Sequence, residues 1–129
     1  MNPNPSARRL CLISALLLAM ATGIGALGAH ALKGRLGADQ LAVLQTAVQY
    51  QFFHSLGLLG IGLLVERLPG RALVLSGWMV LAGVVLFCGS LYALLAGAPR
   101  WFGVLTPLGG LSLIAGWCLC ALGLLRQSD

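Results

Sequence analysis

Charge is what this chain is short of. Three carboxylates, Asp39, Glu66 and Asp129, and eight lysines and arginines leave only 9% of its 129 residues charged. A soluble domain carries about 25%, because its surface has to stay wet, so a water-facing globule of this size is excluded. None of the carboxylates lies within a long apolar run. That rules out a proton relay or cation site built from intramembrane acids. The four cysteines, Cys11, Cys88, Cys118 and Cys120, show no zinc spacing. Cys118 and Cys120 are two apart, about 200° around a helix, too divergent to chelate one ion. A glycine-rich phosphate loop, an HExxH pair and a nucleophile elbow are all absent. The expectation is a protein that is not an enzyme and carries no metal or cofactor. The net charge of +5 comes with no basic stripe and no stacking motif, so nucleic acid is not an expected partner.

Long apolar runs are what the chain does have, with 59% hydrophobic residues. Charge-free stretches run from Leu10 to Ala29, Phe52 to Val65, Ala72 to Pro99 and Trp101 to Leu125. A spanning helix needs roughly 17 to 25 mostly apolar residues. The second stretch reaches that only with its polar lead-in, Thr46 to Gln51. Backbone groups cannot go unpaired in hydrocarbon, and these runs are too long and show no period-two alternation for a barrel, so the spans are helices. They are expected at 10–31, 47–65, 72–96 and 105–125, in one domain over 1–129. An interfacial amphipathic segment is expected over 38–46, with Asp39 as its cap and Leu41, Leu44 and Val48 at helical spacing. Leu68-Pro69-Gly70-Arg71 and Gly97-Ala98-Pro99-Arg100 read as turns. Thr106-Pro107 has the form of a helix start, a threonine cap followed by proline at the first helical position, with Trp101 and Phe102 before it at the level of an aromatic belt. With both termini inside, Arg8, Arg9, Arg67, Arg71 and Arg126 face in and Lys33, Arg35 and Arg100 face out. Five against three favours cytoplasmic termini by the positive-inside rule.

Small residues recur along the spans. Ala15, Ala19, Thr22, Ala26 and Ala29 alternate steps of four and three, as do Gly109, Ser112, Gly116, Cys120 and Gly123 in large part. Ser76, Gly83 and Ser90 repeat every seven positions, and Gly57 and Gly60 share a side of the second span. Small faces let helix backbones approach closely in lipid, where the hydrophobic effect does not drive association. The expected fold class is therefore all-α: four transmembrane helices in a compact antiparallel left-handed bundle. Its packing seam is Ala19, Ala26, Gly83, Gly109, Ser112 and Gly116. "GAHALKG", residues 28–34, admits a second reading, since Ala29-His30-Ala31 has the small-x-small form of a signal-peptidase site. A signal h-region is about 7 to 15 apolar residues, shorter than this first run, so the pattern favours a retained span.

Polar material concentrates in "QTAVQYQFFHS", residues 45–55. Gln51, His54 and Ser55 are related by three and four, which puts them on one helical face. His30 at the end of span one and Ser90 and Tyr92 on span three lie near the same rim. The candidate site is thus an intramembrane polar cluster of His30, Gln51, His54, Ser55, Ser90 and Tyr92. The bland account is a hydrogen-bond network that fixes packing; the alternatives are a small-molecule, lipid or proton-handling site. Two histidines also raise bis-histidine haem ligation, but one sits at a helix end and the other deeper.

The segments "GAHALKGRL", "TAVQYQFFHSLGLL", "GSLYAL" and "TPLGGLSLIAGW" resemble, in order, the family known as domain of unknown function 423. These are small four-span inner-membrane proteins of bacteria, with a eukaryotic transmembrane relative. The resemblance covers about residues 25–125 and implies that the first span is retained. It carries over Gly28, His30, Gln49, Tyr50, Gln51, His54, Ser90, Tyr92, Thr106, Pro107, Gly109 and Gly110, and departs at the Phe52-Phe53 pair. It implies a multi-pass protein of the bacterial inner membrane. Because the family has no established activity, the resemblance leaves function open between a structural or accessory bundle and an oligomeric small-molecule or ion conduit. Membrane lipids, a second copy or a larger membrane complex are the partners either reading implies.

Overall fold

The computed structural model describes residues 2–127, and Asp129 lies outside them. Four helices account for most of the chain: α1 Pro5–His30, α2 Ala38–Arg67, α3 Arg71–Leu95 and α4 Leu105–Leu125. Each of α1, α2 and α3 is long and apolar enough to cross a membrane, as is α4 with the 3₁₀ turn Arg100–Val104 that precedes it. The described residues contain no strand. The protein is an all-α membrane protein.

Local chemistry sets the ends. Asn4 caps α1, its Oδ1 accepting from Ser6 N at 2.9 Å, and Pro5 takes the first helical position, where its missing N–H costs nothing. This starts the helix well ahead of the apolar run at Leu10. The lead-in to the second span is continuous with it as one 30-residue helix. Its cap is Gly37 rather than Asp39: Gln40 Oε1 accepts from Gly37 N at 3.2 Å, and Asp39 falls in the first turn, where the helix dipole favours an anion. At the end of α3, Gly97 has φ +97°, with Gly97 N donating to Leu94 O and Ala98 N to Ala93 O. That is a Schellman ending, which a residue with a Cβ would strain, and Pro99 stops the helix beyond it.

Thr106 does not cap α4. The 3₁₀ turn runs directly into Leu105, and the threonine hydroxyl instead lies 2.6 Å from Ser90 Oγ on α3. A buried serine offers it a better-placed partner than backbone N–H groups already used by the preceding turn.

The helices pack in chain order, α1 on α2, α2 on α3 and α3 on α4, while α1 meets α3 only lightly. All three pairs are antiparallel. The N-terminal segment reaches the end of α2, where Asn4 N donates to Glu66 Oε2 at 3.0 Å, and Gln127 Nε2 donates to Pro69 O. Asn4, Gln127 and Arg8, Arg9, Arg67, Arg71 and Arg126 therefore sit at one end of the bundle, with Lys33, Arg35 and Arg100 at the other.

Close approach is made where helices lack side chains. A Cβ at Gly83 would stand 2.6 Å from Leu113 Cγ and 2.9 Å from Gly109 O; one at Gly116 would stand 2.8 Å from Val80 Cγ2 and 3.0 Å from Val80 N. At Gly109 it would run into the Phe87 backbone. Ser112 fits between these glycines and donates to Met79 O across the interface at 2.7 Å. So Gly83, Gly109, Ser112 and Gly116 line the α3–α4 contact. On α2, Gly62 admits Cys11 and Gly57 admits the Trp117 ring, whereas Gly60 has open space.

Span one differs from the expected seam. Ala19 and Ala26, with Ala15 and Thr22, face away from the bundle. The inward face is instead Ala7, Leu10, Ser14 and Ala21, continued by Gly25 and Gly28 against Val48 and Leu44. Both stripes have helical spacing, and in an all-apolar helix that spacing alone does not say which one turns inward. Leu10 is decisive: it fills the space left by Gly77 on α3, where a Cβ would come within 2.6 Å of its Cδ1.

Candidate functional site

The inward face of α2 carries Leu44, Ala47, Gln51, Ser55, Leu58, Gly62 and Val65, a stripe at helical spacing. Gln51, in the middle of this helix and 2% exposed, is the largest polar side chain in the core. In hydrocarbon its amide must find its partners within the protein, and its nitrogen and its oxygen each have one. Nε2 donates to Leu17 O on α1 at 2.8 Å, and Oε1 accepts from the Tyr92 hydroxyl on α3 at 2.7 Å. The amide orientation follows from chemistry, since a carbonyl only accepts and a phenol in this position donates. The Leu17 carbonyl has two lone pairs, so it can accept from the glutamine as well as serve its own helix. One side chain thus ties three helices together.

His54 turns to the other side of α2. Its Nδ1 accepts from Trp117 Nε1 on α4 at 3.0 Å, and the rings lie 6.2 Å apart. Indole only donates, so the neutral imidazole carries its proton on Nε2. Beside it Tyr50 stacks on Phe87 at 4.4 Å, with the His54 ring 5.5 Å away. Gly57, one turn below His54, makes room for the indole: a Cβ there would come within 2.5 Å of the Trp117 ring. This contact bridges α2 and α4 across α3, in addition to the sequential packing.

The remaining members of the sequence-derived cluster are elsewhere. Ser90 Oγ donates to Phe87 O at 2.9 Å, which leaves the Thr106 hydroxyl as donor in the 2.6 Å pair between them. Ser55 is fully buried, and its Oγ has no partner among the described residues. His30 is exposed at the last residue of α1. The six residues therefore form separate arrangements: a Leu17–Gln51–Tyr92 relay, a His54–Trp117 clamp, a Ser90–Thr106 pair, an enclosed serine and a histidine at the rim. His30 and His54 do not face each other, since His54 is committed to the α4 side and α1 lies on the opposite side of α2. No group of three histidine, cysteine or acidic side chains placed to hold a metal occurs among the described residues.

Sequence reasoning missed the partners more than the members. Leu17 contributes a backbone carbonyl, for which no side-chain signal exists. Trp117 has the right chemistry, but its pairing with His54 depends on the rotation of α4, which a uniformly apolar helix does not reveal.

Comparison with known proteins follows the same outline. A profile of the family described as protein of unknown function (DUF423) matches residues 24–110. The chain is 39% identical over 109 residues to the UPF0382 membrane protein YwdK of Bacillus subtilis (strain 168), covering 84% of this chain and 89% of that one. It is 42% identical over 108 residues to the UPF0382 membrane protein SH2409 of Staphylococcus haemolyticus (strain JCSC1435), covering 84% and 88%. The UPF0382 inner membrane protein YgdD of Escherichia coli (strain K12) is 39% identical over 103 residues, covering 80% and 79%. No solved structure matches the chain.

Proposed function

Because the chain belongs to the DUF423 family of membrane proteins, we propose that it is a sealed accessory bundle, neither enzyme nor conduit, that acts through its outer surface on lipids or a larger membrane complex. We place it in a bacterial inner membrane with both termini cytoplasmic, the end that gathers five arginines.

The observation that carries this reading is the closure of the relay. A transport path needs polar side chains that hydrate or coordinate what passes. Here the one large polar group in the core spends both its amide ends on Leu17 and Tyr92. His54 is held by Trp117, and α3 and α4 come into direct contact at Gly83, Gly109 and Gly116. The outward small stripe on α1 suits self-association, yet its one hydroxyl, Thr22, is already bonded to Leu18 O at 2.9 Å, so two such faces together would make a dry contact.

Reconstitution tests the proposal. Liposomes containing the purified protein should leak protons, potassium and glycerol no faster than empty liposomes at matched protein-free lipid composition. A saturable flux of any of the three that disappears with Gln51→Leu would overturn the reading.

A further inference from the structure

At the end of the bundle opposite Asn4 and Gln127, α1 and α2 part to leave a cleft of about 280 Å³, walled by Gly25, Gly28 and Ala29 on one side and Gln45 and Val48 on the other, with Lys33 at its mouth. It exists because α1 presents almost no side chain here. Leu44 and Val48 lean toward the gap, where a Cβ on Gly28 would come within 2.8 Å of Leu44 and one on Gly25 would stand 3.4 Å from Val48, while the α1 wall itself is only Gly25, Gly28 and Ala29. A second, open groove of about 640 Å³ shares Gln45 and Val48 and runs on along Gln49, Phe52, Phe53 and Leu56.

The chemistry along this track changes in a fixed order with depth. A hydrocarbon core about 30 Å thick takes about 20 helical residues at 1.5 Å each. Counted from Arg9 on α1 and from Arg67 on α2, its far boundary falls near Ala29 and Ala47. Lys33 therefore stands above the boundary, Gln45 and Gln49 straddle it one turn apart on the exposed side of α2, and the two phenylalanines and Leu56 lie below. This end of the protein carries Lys33, Arg35 and Arg100 against the single acid Asp39. A cation, then a pair of amides, then apolar side chains match a phosphate, then ester carbonyls, then an acyl chain. We propose that the cleft and groove bind one glycerophospholipid with an anionic headgroup, its phosphate at Lys33, its esters at Gln45 and Gln49, and an acyl chain along Phe52, Phe53 and Leu56. This deepens, and rests on, the reading of the chain as a bundle that acts through its surface.

Native mass spectrometry of the full chain, titrated with phosphatidylglycerol or phosphatidylcholine of identical acyl chains, tests the site. Wild type should retain phosphatidylglycerol about fivefold better, the expected contribution of one cation at a charged headgroup. Lys33→Ala should bring the ratio near one, and Ala29→Leu, which fills the cleft, should lower retention of both lipids. Helix content and unfolding temperature of each variant, unchanged from wild type, establish that the loss is one of binding. Equal retention of the two lipids by wild type, a preference indifferent to both substitutions, or a dimer that Ala29→Leu dissociates would each overturn the proposal. Flux measured on the same preparations keeps the two readings apart. A tight liposome with no lipid preference defeats the site alone, and a leaky one with the preference intact defeats the sealed bundle alone.

Discussion

Gly109→Ala should lower the stability of the protein by about 3 kcal/mol, the upper end of what overpacking costs. The added methyl has nowhere to go. It would collide with the backbone of Phe87, not with the movable end of a side chain, so α3 and α4 must separate along their contact. Gly116→Leu should behave similarly, since its Cβ alone would stand 3.0 Å from Val80 N and the rest of the side chain would be driven into α3. In lipid, separation is especially damaging because burial of apolar surface does not hold helices together; close packing and interhelical hydrogen bonds do. The seam also carries the Ser112 bond to Met79 O, which a shift of half an ångström would stretch. Gly60→Ala and Gly89→Ala are the matched controls, because nothing lies within 4 Å of a Cβ at either position. Both should be neutral or gain up to about 1 kcal/mol, the usual benefit of replacing glycine inside a helix. Thermal unfolding in detergent, followed by helix signal, reads all four. If Gly109→Ala unfolds with the controls, α3 and α4 are not packed as described.

Gln51→Leu should cost about 1 to 2 kcal/mol, two interhelical hydrogen bonds at values typical of membrane proteins. The more informative quantity is the coupling to Tyr92. Tyr92→Phe alone removes one bond and leaves Gln51 Oε1 unpaired, at about 0.6 kcal/mol. In the Gln51→Leu background the tyrosine hydroxyl has already lost its acceptor. Removing it there should cost nothing or restore some stability, because an unpaired polar group in a dry interior is itself unfavourable. A double-mutant cycle on unfolding free energies should therefore be clearly non-additive. Additive costs would mean that Gln51 and Tyr92 are not partners.

The four spans and the order of the turns were legible in the sequence because they rest on two strong signals, hydropathy over about 20 residues and proline or glycine at helix ends. The α3–α4 seam was legible too, since glycines at 109 and 116 and a serine at 112 leave a helix only one face that can come close to another. Span one shows where that reasoning stops. Ala15, Ala19, Thr22 and Ala26 make as regular a stripe as Ala7, Leu10, Ser14 and Ala21, and the structure turns the second set inward. For a soluble helix the polar face would have decided the rotation, but here both faces meet something apolar. Gln51 could be placed inside from its chemistry alone, because a carboxamide is costly against lipid. Its partners could not, since one is a backbone carbonyl and the other a tyrosine 41 residues away whose reach depends on how α2 and α3 are rotated. Thr106 failed for a related reason: a local rule made it a cap, and a serine on the neighbouring helix took its hydroxyl instead.

A single cysteine placed at Ser55, in a chain whose four native cysteines are replaced by serine or alanine, tests the closed interior most directly. Ser55 is fully enclosed between helices, one turn from Gln51 on the inward face of α2, where an aqueous path past the Gln51 side chain would reach it. In intact liposomes a charged, water-soluble methanethiosulfonate reagent should leave this thiol unmodified over hours and label it completely after unfolding in detergent. Labelling within minutes in the folded, membrane-embedded protein would show water reaching the core and would contradict the sealed bundle.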